Sequence, residues 1–233
     1  MKILKSALSS FRDMTRFELF LWLGSVAAVA ISSILFGDGD HMTLIATIIG
    51  VTAVIFVSKG YALGQFLVIV FSVFYGIISF YFTYYGEMVT YLGMTAPIAA
   101  IALISWLRNP YQQTKTVTVS KVSRKQMIIL IVLTVIVTVA FYFILGALGN
   151  ANLLVSTISI TTSFVAASLT VLRSAAYAAW YASNDFVLVI LWVLASMQSR
   201  SYIPMVVCFA VFLINDLYGF YNWRRLSRMQ RLD

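Results

Sequence analysis

The sequence contains one cysteine, Cys208, and one histidine, His41, among its 233 residues. A single cysteine excludes a disulfide framework within the chain and a cysteine-based metal cluster, and one histidine cannot form a histidine-based cluster. Cys208 lies in an apolar run, where cysteine usually serves as a small packing residue. His41 ends the stretch FGDGDH, which predicts a solvated loop. We therefore expect neither a metal nor another cofactor.

Charged residues are also scarce. They make up 10% of the chain, whereas soluble domains carry about 25%. Hydrophobic residues make up 61%, and the mean hydropathy is +0.94. This composition is typical of an integral membrane protein. The net charge of +8 does not indicate nucleic-acid binding, because lysine and arginine lie at the ends of hydrophobic runs rather than in one patch.

Eight hydrophobic segments approach the length of about 20 residues that a membrane-spanning helix needs. The seventh is the shortest, and a start near Ala176 is an alternative for it. The first begins after sixteen residues and lacks a small-residue cleavage site followed by a soluble domain, so we interpret it as a true span and not as a signal peptide. The predicted spans are 17–36, 42–58, 62–83, 86–107, 127–149, 151–172, 184–199 and 203–223.

Lysine and arginine are unevenly divided between the two sides of such an arrangement. Fifteen of the sixteen fall on the side of both termini, and only Arg200 falls on the other. Because cytoplasmic loops are enriched in these residues, both termini and the 108–126 connector are predicted to be cytoplasmic.

Spans two to four run in the same three directions as spans six to eight, and span five returns the chain. Residues 85–108 and 202–225 can also be aligned at an offset of 117, which pairs Trp106 with Trp223; the same offset pairs Tyr75 with Trp192. We therefore predict an all-α integral membrane protein with eight transmembrane helices, in which two parallel three-helix repeats are joined by a linker helix and preceded by one extra N-terminal helix.

This plan gives five predicted regions along the chain. They are the N-terminus with a peripheral first helix (1–41), the first repeat (42–110), the connector with the linker helix (111–150), the second repeat (151–226) and a cytoplasmic tail (227–233).

Several polar and aromatic side chains lie deep in the predicted spans. Asn215 lies within about 3 Å of depth from the middle of its span, and a charged or amide side chain there costs about 2.5–3.5 kcal/mol without a partner. Trp192 is also mid-span, away from the interfacial aromatic belt. Stripes of serine and threonine, such as that around Ser163, are also typical of helix packing. The candidate substrate-binding residues are Trp192, Asn215, Tyr75, Gln198, Asn184, Asp216, Ser163 and Ser72.

These residue types favour a small, neutral-to-cationic ligand with a flat ring and hydroxyl groups. Aromatic faces would stack on the ring, and more strongly on a cation, while amides and hydroxyls would bind the polar part. No basic cluster lies deep in the spans, which argues against a phosphorylated substrate.

An ordered set of short motifs resembles the PnuC family of bacterial nicotinamide riboside transporters, over roughly residues 42–226. The motifs are FYG at 74–76, YYGEM at 84–88, SWLRNP at 105–110, TSFVAASLTVLRS at 162–174, NDFVLVILWVLAS at 184–196 and INDLYGFYNWRR at 214–225.

The resemblance implies a fold similar to the SWEET sugar transporters, a multi-pass location in the bacterial inner membrane, and uptake of nicotinamide riboside by facilitated diffusion with alternating access. It also implies trapping of the substrate by a cytoplasmic nicotinamide riboside kinase. We would place the nicotinamide ring against Trp192 and Tyr75, and the ribose near Asn215, Gln198, Asn184 or Ser163. Besides membrane lipids, a homo-oligomeric partner is an open alternative.

Other functions remain open at this point. The chain has no HExxH or GxSxG motif, so an intramembrane enzyme is disfavoured, and Asp185 is expected at the cytoplasmic start of its span, too far from Asp216 for an aspartyl pair. A channel or proton-coupled symporter using Asp216, a transporter of another vitamin or nucleoside such as thiamine, and a membrane scaffold are the alternatives.

Overall fold

The computed structural model describes residues 9–37, 41–81, 85–150 and 152–232. Eight helices in this part of the chain are long and apolar enough to cross a membrane, which confirms the predicted all-α membrane protein. They are α1 (Arg16–Phe36), α2 (His41–Ser58), α3 (Ala62–Tyr81), α4 (Tyr85–Leu107), α5 (Arg124–Ala147), α6 (Leu153–Val171), α7 (Tyr177–Ser196) and α8 (Ile203–Leu232).

Three helix boundaries differ from the predicted ones in ways that matter. Helix α7 begins at Tyr177, at the earlier of the two predicted starts, so Asp185 lies near its middle and the expectation of a cytoplasmic position was wrong. Helix α8 continues to Leu232, well beyond the predicted end at 223. His41 is exposed but is the first residue of α2, so its assignment to a loop was wrong.

Local signals explain how two of the helices begin. Thr15 and Glu18 form a capping box at α1, and Ser123 and Gln126 form another at α5; each box satisfies two backbone N–H groups that a helix start leaves without partners.

Helix α4 widens in its middle. Residues Tyr91–Thr95 form a π-turn, closed by the bond from the Ala96 N–H to the Tyr91 carbonyl. Pro97 follows directly and has no N–H to donate, which favours such a widening.

Six of the helices form a closed ring, in the order α2, α3, α4, α6, α7, α8 and back to α2. The two contacts between the halves are equivalent, because each joins the third helix of one repeat to the first helix of the other. Helix α5 packs mainly on α6, and α1 packs across α2 and α8.

The repeat is also visible in single hydrogen bonds at the ends of α2 and α6. Gly60 and Arg173, which are 113 residues apart, both adopt left-handed backbone conformations, with φ of 73° and 57°. The connector donates to both: the Val117 N–H to the Gly60 carbonyl and the Ser120 N–H to the Arg173 carbonyl, each at 2.9 Å. The starts and ends of α3 and α7 are 115 residues apart, and Trp106 and Trp223 are 117 apart, so no single offset describes the whole repeat.

The two tryptophans predicted to correspond make equivalent contacts. The Trp106 indole N–H donates to the Thr170 carbonyl at the end of α6, and the Trp223 indole N–H donates to the Val57 carbonyl at the end of α2. Thr170 and Val57 are themselves 113 residues apart. Each bond therefore ties the third helix of one repeat to the first helix of the other.

Candidate functional site

A cavity of about 70 Å³ lies in the middle of the ring. All six ring helices contribute to its wall, so it lies on the axis between the two repeats. Its polar lining consists of Ser163, Asn184, Asp185, Asp216 and Thr95, with the hydroxyl-bearing rings of Tyr91 and Tyr181; the remainder is Gly50, Ala53, Val54, Val57, Val68, Phe71, Phe209 and Phe212. We call this the central cavity.

Two carboxyl groups meet at this cavity. Asp185 of α7 and Asp216 of α8 are both buried, and both side chains line this cavity. Two carboxylates that share one buried site repel each other. None of the described residues that line the cavity is basic. The pair is therefore an acidic centre that lacks a positive partner, and the expectation that these aspartates do not face each other was wrong.

Asn184 is held in one orientation beside this pair. Its side-chain oxygen accepts hydrogen bonds from the hydroxyls of Ser159, at 3.1 Å, and Thr162, at 3.0 Å. Its NH₂ group makes no hydrogen bond to the described part of the chain, which leaves two donors for a ligand in the central cavity.

Aromatic side chains close the central cavity at one end. Tyr75 packs against Tyr91, with ring centroids 4.3 Å apart, and against Phe71 and Phe209, at 5.5 Å and 6.2 Å. Phe212 completes the group at 5.6 Å from Phe71. We call these five residues the Tyr75 layer. It separates the central cavity from the end of the bundle that carries the α5–α6 turn, which we call the turn end.

A second aromatic group closes the opposite end, which carries the 108–123 connector and is called the connector end. The Trp223 ring lies 5.3 Å from Trp106 and 4.7 Å from Tyr177. The Tyr177 hydroxyl and the Trp223 indole both donate to the Val57 carbonyl, at 3.2 Å and 3.0 Å. These three rings form the Trp layer, which packs against Val57 at the connector end of the central cavity.

A smaller cavity of about 30 Å³ lies beyond the Tyr75 layer, at the turn end. Trp192 is the link between the two, because its ring lies 6.5 Å from that of Tyr75. We call it the turn-end cavity, and its lining is Glu87, Asn150, Asn152, Ser156, Leu191, Trp192, Ala195 and Gln198.

A larger cleft of about 340 Å³ at the connector end lies outside the ring, between α1 and α8. Two of its charged lining residues pair with each other, since Lys59 donates to Glu18 at 2.7 Å. Burial is the largest cause that raises the pKa of the neighbouring Tyr61 hydroxyl, to about 12, so this group stays neutral at physiological pH. Size alone would favour this cleft, but it does not lie on the axis between the repeats.

Seven of the eight residues proposed from the sequence fall into three groups. Asn184, Asp216 and Ser163 line the central cavity, whereas Trp192 and Gln198 line the turn-end cavity. Tyr75 lies between the two cavities, and the buried Ser72 lies one turn away from it on α3.

Asn215 faces a different neighbour. Its NH₂ group donates to the Ser25 hydroxyl of α1 at 3.0 Å and to the Val211 carbonyl at 2.8 Å. The amide is therefore directed at α1 and not at the central cavity.

The lining residues that were not proposed from the sequence include Asp185, Tyr91, Tyr181 and Glu87. The earlier start of α7 would have placed Asp185 and Tyr181 inside the span. The two residues of α4 carried no comparable signal, because their position depends on how α4 packs against α6 and α7.

Comparison with known proteins gives three findings. Residues 40–225 match the model of a family described as nicotinamide mononucleotide transporter. The chain is 25% identical over 227 residues to the nicotinamide riboside transporter PnuC of Neisseria mucosa, covering 94% of this chain and 84% of that protein. It is 24% identical over 210 residues to the Haemophilus influenzae protein of the same name, covering 89% and 90%.

The fold is similar to that in a crystal structure of the vitamin B3 transporter PnuC, with a TM-score of 0.80 and 22% identity, over 93% of this chain and 94% of that one. At this identity the likeness shows the fold alone. It agrees with the eight helices described above.

Proposed function

The chain belongs to the nicotinamide mononucleotide transporter family, and we propose that it carries nicotinamide riboside across a bacterial inner membrane through the central cavity. The two curated relatives are named as transporters of the riboside. The single observation that carries the choice of riboside over mononucleotide is the acidic, phosphate-repelling lining of the central cavity, which offers a carboxyl pair and no described basic residue.

The chemistry of the lining suits this substrate. Nicotinamide riboside is a pyridinium cation joined to ribose. The Asp185–Asp216 pair would balance the positive ring, and the rings of Tyr91 and Tyr181 would offer faces to it. The free NH₂ group of Asn184 would then donate to the ribose or carboxamide oxygens.

Transport requires the site to open on alternate sides. A ligand pocket for a molecule of this kind usually measures about 300–1,000 Å³, so the central cavity, at about 70 Å³, must widen to hold the substrate. We infer that separation of the Tyr75 layer admits the substrate from the turn end, and that separation of the Trp layer releases it at the connector end. The equivalent seams between the two repeats are where such rocking would occur.

The connector end is proposed to be cytoplasmic, with both termini. In the described part of the chain every lysine and arginine except Arg200 belongs to that end, as the positive-inside rule requires. Net uptake would follow from facilitated diffusion, with trapping of the substrate by a cytoplasmic kinase.

Proton-coupled uptake of the same substrate is the second candidate. Asp185 and Asp216 both line the central cavity. Two carboxyl groups at one buried site favour retention of a proton, and an entering cation could displace that proton. The two candidates make different predictions for the effect of a pH gradient.

Uptake by proteoliposomes tests both. We expect saturable uptake of labelled nicotinamide riboside that excess unlabelled riboside inhibits, with little inhibition by nicotinamide mononucleotide, thiamine or a plain nucleoside. The initial rate should be unchanged when a pH gradient is imposed; a several-fold change would replace facilitated diffusion by proton coupling. Uptake of thiamine instead of the riboside would contradict the proposed substrate.

A further inference from the structure

Glu87 is a buried carboxyl group that the transport site described above does not use. Its side chain lies at the start of α4 and is 8% exposed. No hydrogen bond or ion pair joins it to any other residue in the described ranges. A carboxylate in such a place is stabilised only by water or by a ligand of opposite charge.

The position of Glu87 is fixed by its neighbour Gly86. A Cβ atom at Gly86 would overlap the side-chain oxygen of Asn150, so α4 begins in close contact with the α5–α6 turn. Asn150 in turn donates to the Ser156 hydroxyl at 2.8 Å. The carboxyl group is thereby held at the seam between α4 of one repeat and α6 and α7 of the other.

The other groups around the turn-end cavity are those that a flat organic cation would use. Trp192 contributes an indole, and indole is the ring that attracts cations best. Gln198 and Asn152 contribute amides, and the described residues of the lining include no lysine or arginine. A carboxylate, an indole and amides around one cavity are complementary to a pyridinium ring that carries a carboxamide.

We propose that the turn-end cavity is a first binding site for the pyridinium cation, in which Glu87 and Trp192 hold the substrate before the Tyr75 layer opens. This proposal rests on the proposed function for its direction and substrate. Trp192 contacts Tyr75, so a cation held there lies one aromatic layer away from the central cavity. Glu87 binds the substrate as it enters from the turn end, and Asp185 and Asp216 bind it once it is in the central cavity.

The cavity of about 30 Å³ must widen to accept a ring. Two features allow this without disturbing the ring helices. Gln198 lies beyond the end of α7, and Asn152 lies in the short turn before α6. Movement of these two side chains enlarges the cavity toward the turn end.

Tryptophan fluorescence tests the site without requiring transport. The probes are 1-methylnicotinamide, a small pyridinium cation that quenches tryptophan, and acrylamide, a neutral quencher, applied to the full chain in lipid. The difference in quenching between the wild-type chain and Trp192→Phe is the part due to Trp192, which we call the Trp192 component. For the cation, we expect this component to become on the order of tenfold weaker in Glu87→Gln, because one partly screened charge is lost.

Two controls separate charge from damage to the fold. Acrylamide quenching of the Trp192 component should be the same in the wild-type chain and in Glu87→Gln. Glu87→Asp, which keeps the charge, should recover most of the cation quenching. Equal cation quenching in the wild-type chain and Glu87→Gln, or no Trp192 component at all, overturns the proposal.

Uptake kinetics give an independent readout. Glu87→Gln should raise KM for nicotinamide riboside by about tenfold, and more than it lowers the maximal rate. An unchanged KM overturns the first binding site while the proposed function stands. A wild-type chain that takes up no riboside overturns the proposed function, whereas the quenching experiment still decides whether Glu87 binds cations.

Discussion

A buried ion pair ties the peripheral helix to both halves of the ring. The Lys59 ammonium lies 2.7 Å from Glu18 Oε2, and the two side chains are 8% and 4% exposed. Glu18 also accepts from the Tyr218 hydroxyl at 2.8 Å. Since Lys59 follows α2 and Tyr218 is in α8, one carboxylate on α1 joins the first repeat to the second. We predict that loss of either charge destabilises the protein strongly.

The chain provides a matched control. Lys115 and Asp13 form a pair of nearly the same length, 2.6 Å, but with 38% and 43% exposure. Removing one partner of a buried pair costs about 3–5 kcal/mol, whereas an exposed pair contributes roughly 0.2–1 kcal/mol. At about 2–4 °C per kcal/mol for a chain of this size, Glu18→Gln or Lys59→Met should lower Tm by roughly 6–20 °C, and Lys115→Met by no more than about 4 °C.

A double-mutant cycle makes the comparison quantitative. Thermal unfolding in lipid or detergent would be followed for the two single variants and the double variant of each pair. For the buried pair, the loss of stability in the double variant should be much smaller than the sum of the losses in the two single variants, because no unpaired charge remains. The reasoning would be refuted if the two single substitutions of the buried pair were additive, or if the coupling energy of the exposed pair were as large as that of the buried pair.

Two further predictions concern packing and access. Gly64→Ala should lower the free energy of unfolding by about 1–3 kcal/mol, because the added Cβ overlaps the backbone nitrogen of Val57. The control Gly24→Ala adds a Cβ that meets nothing within 4 Å, so it should be neutral or stabilising by up to about 1 kcal/mol. Similar losses of unfolding free energy in both variants would contradict this prediction. Cys208 is fully buried in the same packed cluster as the Tyr75 layer, so it should react slowly with N-ethylmaleimide and at least several-fold faster in Tyr75→Ala. Fast reaction in the wild-type chain would show that the layer is open.

Much of the fold is predictable from one physical requirement. A chain that crosses the membrane must satisfy its backbone within each span, so long apolar runs become helices, and the alternation of basic and uncharged turns sets their directions. The halves could then be matched by direction alone. The Trp106–Trp223 match agrees with the structure because each indole makes the equivalent bond across the repeats.

The sequence predicts how deep in the membrane the candidate residues lie, but not the direction in which each side chain points. Asn215 and Asp216 are adjacent, and each residue turns a helix by about 100°. Asp216 consequently enters the central cavity while Asn215 bonds to Ser25 of α1. Which of the two side chains faces inward depends on where α1 packs. The sequence predicts a peripheral first helix, but it contains no signal for the surface on which that helix packs.

The carboxyl pair was missed for a related reason. The predicted span 184–199 put Asp185 at a membrane surface, whereas the alternative start near Ala176 put it inside the span. In the structure the preceding turn of α7 is rich in alanine, and Tyr177 packs in the Trp layer. Packing within the ring, rather than hydropathy, therefore sets the start of this helix.

Calorimetric titration with nicotinamide riboside and with its neutral dihydro form tests the central cavity most directly. We predict that the wild-type chain binds the cation more tightly than the neutral form. Asp216→Asn should weaken cation binding at least about thirtyfold, since removal of one buried charge contact costs roughly 2–5 kcal/mol. The neighbouring Asn215→Ala should change it far less. Equal binding of both forms, or a larger loss in Asn215→Ala than in Asp216→Asn, would contradict the assignment of the central cavity.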